Sequence, residues 1–88
     1  MIRLQSSNKA RIRLRLMRDE GVEQIANWIE RHGADWRESL IRHLACDGRG
    51  FSDTVRLLTP GLLNELTIAD VVCERMIRSS ARAMGAER

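Results

Sequence analysis

The chain has no tyrosine, one phenylalanine and two tryptophans, so Trp28, Trp36 and Phe51 are all it has of the large aromatic side chains. That scarcity excludes the row of stacking rings on which single-stranded nucleic acid is read, and it favours duplex as the polyanion to consider. Cys46 and Cys73 stand alone, without Cys-x-x-Cys spacing. This argues for free thiols in a reducing, cytoplasmic setting rather than a disulfide scaffold. The first residues lack the apolar core of a secretory signal, and no run approaches the ~20 apolar residues of a membrane span. The arginine-rich start shares its composition with organelle transit segments, but its period of two is wrong for an amphipathic presequence helix.

Acidic residues are missing altogether from positions 1 to 18, which hold Arg3, Lys9, Arg11, Arg13, Arg15 and Arg18 for a local charge of +6. Residues 19 to 88 carry nine bases against twelve acids, a net −3, so the formal +3 of the whole conceals a basic arm on a mildly acidic body. Such segregation indicates a polyanionic partner, nucleic acid first and an anionic membrane surface second. Fourteen of the fifteen basic residues are arginine, the side chain suited to forked recognition of phosphate or guanine, although GC-rich codon usage yields the same bias.

What is present begins with Ala-Arg-Ile-Arg-Leu-Arg-Leu at residues 10 to 16. At a period of two, Ile12, Leu14 and Leu16 line one face and Arg11, Arg13 and Arg15 the other, the pattern of a half-buried strand. A lone strand leaves backbone donors and acceptors unpaired. Either residues 2 to 5 fold back as a hairpin, or residues 10 to 16 pair with the same segment of a second copy; the second solution is favoured, because Ser6 to Lys9 is a poor primed turn. Eighty-eight residues make one domain with a modest core, for which association supplies extra burial.

The remainder reads as four or five short helices. Val22, Ile25, Ala26 and Ile29 recur at helical spacing behind Asp19 and Glu20, and Gly33 ends that helix. Asp35 and Glu38 form a capping box ahead of a helix carrying Trp36, Leu40, Ile41, Leu44 and Ala45 inward. After the loop Asp47 to Gly50, Ser52 opens a short helix, Thr59 with Pro60 another, and Thr67 with Asp70 the last, to about Met84. That last helix has an apolar stripe of Ile68, Val71, Val72, Met76 and Ile77, with Arg75, Arg78 and Arg82 elsewhere on its surface.

An alternating strand, a helix from Val22 to His32, Gly33, and a second helix whose Leu40-Ile41-Arg42 run follows Asp35 together resemble the ribbon-helix-helix family of DNA-binding dimers over residues 9 to 46. The resemblance implies a mainly α homodimer in which two N-terminal strands pair across the subunits and enter the major groove, with residues 51 to 88 as a helical extension for oligomerisation or partner binding. Carried over, Arg11, Arg13 and Arg15 contact bases, and Arg is suited to bidentate contact with guanine. Lys9, Arg18 and Arg37, with the amides of Ala34, Asp35 and Trp36, contact phosphates.

His32, His43, Cys46 and Cys73 lack paired ligand spacing, so no metal is expected. No glycine-rich turn or oxyanion element accompanies His43 and Cys46, so neither catalytic residues nor a cofactor are expected. Trp28 and Trp36 sit beside apolar stripes, as core or interface residues do. The expected function is a duplex-DNA-binding transcriptional regulator. The alternative is a small helical protein-interaction module of antitoxin-like or phage-inhibitor type, and a third possibility, a winged-helix-like monomer, keeps DNA binding but reads with a helix.

Overall fold

Ala10, Leu14 and Met17 recur at i, i+4 and i+7, and all three are buried, which decides the N-terminal run as a helix. The computed structural model describes residues 5–86. They form α1 (Gln5–Leu16), α2 (Asp19–His32), a 3-10 turn (Gly33–Asp35), α3 (Trp36–Cys46), α4 (Asp53–Arg56), α5 (Pro60–Glu65) and α6 (Ile68–Ala86). No strand occurs among the described residues, so the expected strand at 10 to 16, its pairing across a homodimer and the ribbon-helix-helix architecture are all overturned. Residues 2 to 4 of the alternative hairpin lie outside the described residues, and Gln5 begins α1.

The physical reason is a competition between two apolar sets. Alternation groups Ile12, Leu14 and Leu16, yet Ile12 is 58% and Leu16 73% exposed, while Leu14 is 2% exposed. A helix satisfies its backbone groups internally and needs no second chain, and Arg and Leu are good helix formers. Three buried contacts at helical spacing outweigh an alternation that serves only a paired strand.

The core joins Leu14 of α1, Val22, Ile25 and Ile29 of α2, Trp36 and Leu40 of α3, Val55 of α4, Leu63 of α5 and Val71 of α6, with Leu58 and Leu66 from the connections. Val55, Leu58, Leu63, Leu66 and Val71 thus share one core with the buried residues of α1, α2 and α3. Helix α2 packs against α3, α4 and α6, and α1 against α5 and α6. Gly21 allows the close approach of α2 to α4: a Cβ there meets Thr54 Oγ1 at 3.0 Å and Val55 Cγ2 at 3.2 Å.

Local signals act mostly as their chemistry requires. Thr59 accepts from the Leu62 amide ahead of α5, with Pro60 in its first turn. Thr67 and Asp70 cap α6 reciprocally, at 3.2 Å and 3.1 Å. Gly33 takes φ 63° where α2 ends, and its amide returns to the Ile29 carbonyl. The capping box at Asp35 does not form: Asp35 belongs to the 3-10 turn and its side chain caps nothing. Ser52 precedes α4 without capping it, sharing its hydroxyl with Thr54 at 3.0 Å and donating its amide to Gln24 at 2.8 Å. Ala45, expected inward, is exposed.

Candidate functional site

The arginines of α1 do not form a row. Arg11 and Arg15, one turn apart, lean toward α6, where they pair with Asp70 at 3.2 Å and Glu74 at 3.8 Å. Arg13 lies on the opposite flank, beside Leu58 and Leu62. The set expected to meet phosphate is dispersed as well. Arg37 Nε donates to the Leu63 carbonyl at 2.9 Å, a second guanidinium nitrogen donates to the Leu66 carbonyl, and the guanidinium carbon lies 4.8 Å from the centre of the Trp36 ring. It closes the end of α5 by bonding the Leu66 carbonyl and by sharing the Leu63 carbonyl with the Leu66 amide. Trp36 is buried and its amide bonds to the Gly33 carbonyl, while Ala34 and Asp35 sit in the exposed 3-10 turn. Lys9 and Arg18 are exposed, and with Arg13 they have no acidic partner within the ion pairs of the described residues.

Histidines and cysteines are also apart from the arrangement a metal requires. His32 stacks on Trp28 at 4.0 Å, His43 Nε2 lies 2.8 Å from the Arg49 carbonyl, and both cysteines are free and exposed. Among the described residues no group of three His, Cys, Asp or Glu side chains is placed to hold a metal.

Helix α6 organises the surface. It runs beside α1 in parallel, as the pairs Arg11 with Asp70 and Arg15 with Glu74 require. Its inner side is Val71, Glu74 and Arg78, at i, i+3 and i+7. Glu74 is 8% exposed and receives Arg78 Nε at 2.9 Å. Arg78 also donates to the carbonyls of Leu14, Arg15 and Met17, at 3.3, 3.0 and 2.8 Å, and to the Asp19 carboxylate. One guanidinium thus closes the C-terminal end of α1 and ties it to the start of α2. Burial disfavours the Arg78 cation, but its bonds to Glu74 and Asp19 outweigh that and raise its pKa. The Arg78 hydrogen bond, aided by Arg82, holds Asp19 below the ordinary carboxylate value. On the other flank Arg75 bonds Glu30 at 3.1 Å and pairs with Glu23 at 3.2 Å.

Every charged side chain from Asp70 to Arg82 is consequently directed to the chain's own body. What α6 turns outward is Ile68, Ala69, Val72, Cys73, Met76, Ile77, Ser79, Ser80 and Ala83, with Val72 45% and Met76 65% exposed. This reverses the expected stripe, of which only Val71 is buried. Reading the helix by its charges finds the true inner side: Asp70, Glu74 and Arg78 step by four, and Arg11 and Arg15 step by four on the helix that meets them. Between α1 and α6 a cleft of about 220 Å³ is lined by Ile12, Leu14, Cys73 and Ile77, with Arg11, Arg15, Asp70 and Glu74 at its polar rim.

An apolar, uncharged ridge thus stands beside a cleft whose lining is half apolar and half ion-paired. No helix of the described residues is long and apolar enough to cross a membrane. Compared with family models, with curated proteins and with solved structures, the chain has no match.

Proposed function

We propose that this chain is a small helical interaction module that docks a protein on the face formed by α1 and α6. One observation carries the reading: α6 spends its charges inward while Ile68, Val72, Met76 and Ile77 stand in solvent. Exposed side chains of that size, contiguous with Ile12 across the cleft, lose water favourably only when a partner covers them, at about 25 cal/mol per Å². The apolar ridge then supplies affinity, and the charged rim sets orientation. The test is affinity capture from an extract of the source cells with the wild type and with Val72→Asp/Met76→Asp. Both sites are exposed, so the variant keeps its fold by circular dichroism. A specifically retained protein that the variant loses is the expected result, and identical capture by both chains refutes the docking face.

A second reading, binding of duplex nucleic acid, is supported by Lys9, Arg13 and Arg18, which are exposed and lack acidic partners within the described ion pairs. Such contacts work through phosphate neutralisation, with affinity falling steeply as salt rises. Fluorescence anisotropy of labelled duplex across a salt series reads this directly. Replacing all three with Ala is expected to reduce the salt slope by two to three, at about one per phosphate contact; an unchanged slope removes this reading.

A further inference from the structure

The occupant of the α1 and α6 face is open to argument from its two edges, which differ in sign. Beyond α6 lies α2, where Glu23 and Glu30 share the single guanidinium of Arg75, leaving an acidic margin. Beyond the Ile12 and Leu16 ridge of α1 lie Lys9 and Arg13, a basic margin. The centre, from Ile68 through Val72, Met76, Cys73 and Ile77 to Ile12, is apolar, and among the described residues its charges are the ion pairs of Arg11 and Arg15 with Asp70 and Glu74.

A two-fold axis along the cleft, parallel to both helices, lays α6 of one copy over α1 of the other. The same operation sets the acidic margin of each copy against the basic margin of its mate, so two complementary charge contacts form at once. We infer that the partner on this face is a second copy of this chain, joined as an isologous dimer with a four-helix layer at its centre. The inference rests on the docking reading above and names its occupant.

Size agrees with this assignment. At 1.5 Å per residue α6 is about 28 Å long and α1 about 18 Å, and each helix is about 10 Å wide, so the face offers on the order of 450 Å² in projection. Side-chain relief raises the accessible area toward the roughly 800 Å² per partner of a standard interface. An 88-residue chain also has a small core to begin with, so covering Val72, Met76, Ile77 and Ile12 adds apolar burial where it is most needed. Ala69, Ser79 and Ala83 on the outer side of α6 permit close approach of the second layer.

The experiment is solution mass by light scattering, paired with labelling of the two thiols. The wild type is expected at twice the chain mass of 10.1 kDa, and Val72→Asp/Met76→Asp at one. Arg13→Glu and Glu30→Lys are each expected to weaken the dimer at least about tenfold, and the chain carrying both, which restores opposite margins, to recover it. Cys73 on the face is expected to become protected from maleimide as concentration rises, while Cys46, exposed at the end of α3, serves as the reference.

A wild type that stays monomeric to its solubility limit, with Cys73 as reactive as Cys46, overturns the inference. So does a dimer that persists unchanged in Val72→Asp/Met76→Asp, or one that the exchanged margins fail to rescue. The two readings separate cleanly: a monomer that still captures another protein through Val72 and Met76 overturns the second copy and leaves the docking face standing, whereas a monomer that captures nothing overturns both.

Discussion

Replacing Arg78 with methionine is expected to lower the unfolding free energy by about 2–4 kcal/mol, because the change removes five hydrogen bonds from a nearly buried cluster at once and leaves Glu74 and Asp19 with one arginine partner each. Its guanidinium serves three carbonyls at the end of α1 and the carboxylates of Asp19 and Glu74, and its side chain is only 15% exposed. Glu74 retains Arg15 alone, at 3.8 Å. In a domain of this size such a loss lowers the thermal midpoint by about 10–25 °C. Arg82→Met, which removes a 64% exposed side chain from the same Asp19, is the control and is expected to cost no more than about 1 kcal/mol. Arg78→Lys keeps the charge but loses the fork, and falls between. Equal midpoints for the Met substitutions at 78 and 82 refute the clamp.

The same contact makes stability depend on acid. Asp19 is held below its ordinary pKa, so its ionised form is favoured by folding, and this contribution is complete above the unfolded carboxylate value of about 3.9. It disappears as the pH falls through the lower, folded value. The stability difference between wild type and Arg78→Met is therefore expected to be constant near neutrality and to shrink below about pH 4. Urea unfolding at a series of pH values measures it, and a difference that grows on acidification contradicts the assignment.

Leu14→Ala is the second large expected effect, at about 2–4 kcal/mol, because Leu14 is 2% exposed and its removal leaves a cavity at the centre of the core. Ile12→Ala and Leu16→Ala, one alternation step to either side, are expected to cost no more than about 1 kcal/mol in dilute solution, since both side chains stand in solvent. A strand makes all three equivalent, and a helix does not. Chemical denaturation of the three variants therefore reports the conformation of this segment without any structure, and equal losses would return it to a strand.

The comparison explains why this segment misleads as a sequence. Arg11 to Leu16 satisfies a period of two, while Ala10, Leu14 and Met17 satisfy a period of 3.6 in the same window. Choosing between them requires knowing what covers Leu14 and what accepts Arg11 and Arg15, and those groups lie in α5 and α6. The candidate face was illegible for a related reason. Helix α6 has two usable sides, one apolar and one bearing Asp70 and Glu74 followed by Arg75, Arg78 and Arg82, and transfer from water alone favours burying the apolar one. The charged side turns inward because its groups find their counterparts in Arg11, Arg15, Asp19, Glu23 and Glu30.

By itself the amino-acid order determined whatever is closed within a few residues: the α2 stripe of Val22, Ile25, Ala26 and Ile29, the stop at Gly33, and the caps at Thr59 and at Thr67 with Asp70. It also determined the segregation of charge between the first 18 residues and the rest. Tertiary structure alone decided that residues 5–16 of the basic arm are a helix, that Arg37 and Arg78 close helix ends, and that α6 exposes its apolar side. The division is physical. Periodicity and caps depend on neighbours one turn away, whereas the fate of an arginine depends on which carboxylates and carbonyls the rest of the chain brings within about 3 Å of it.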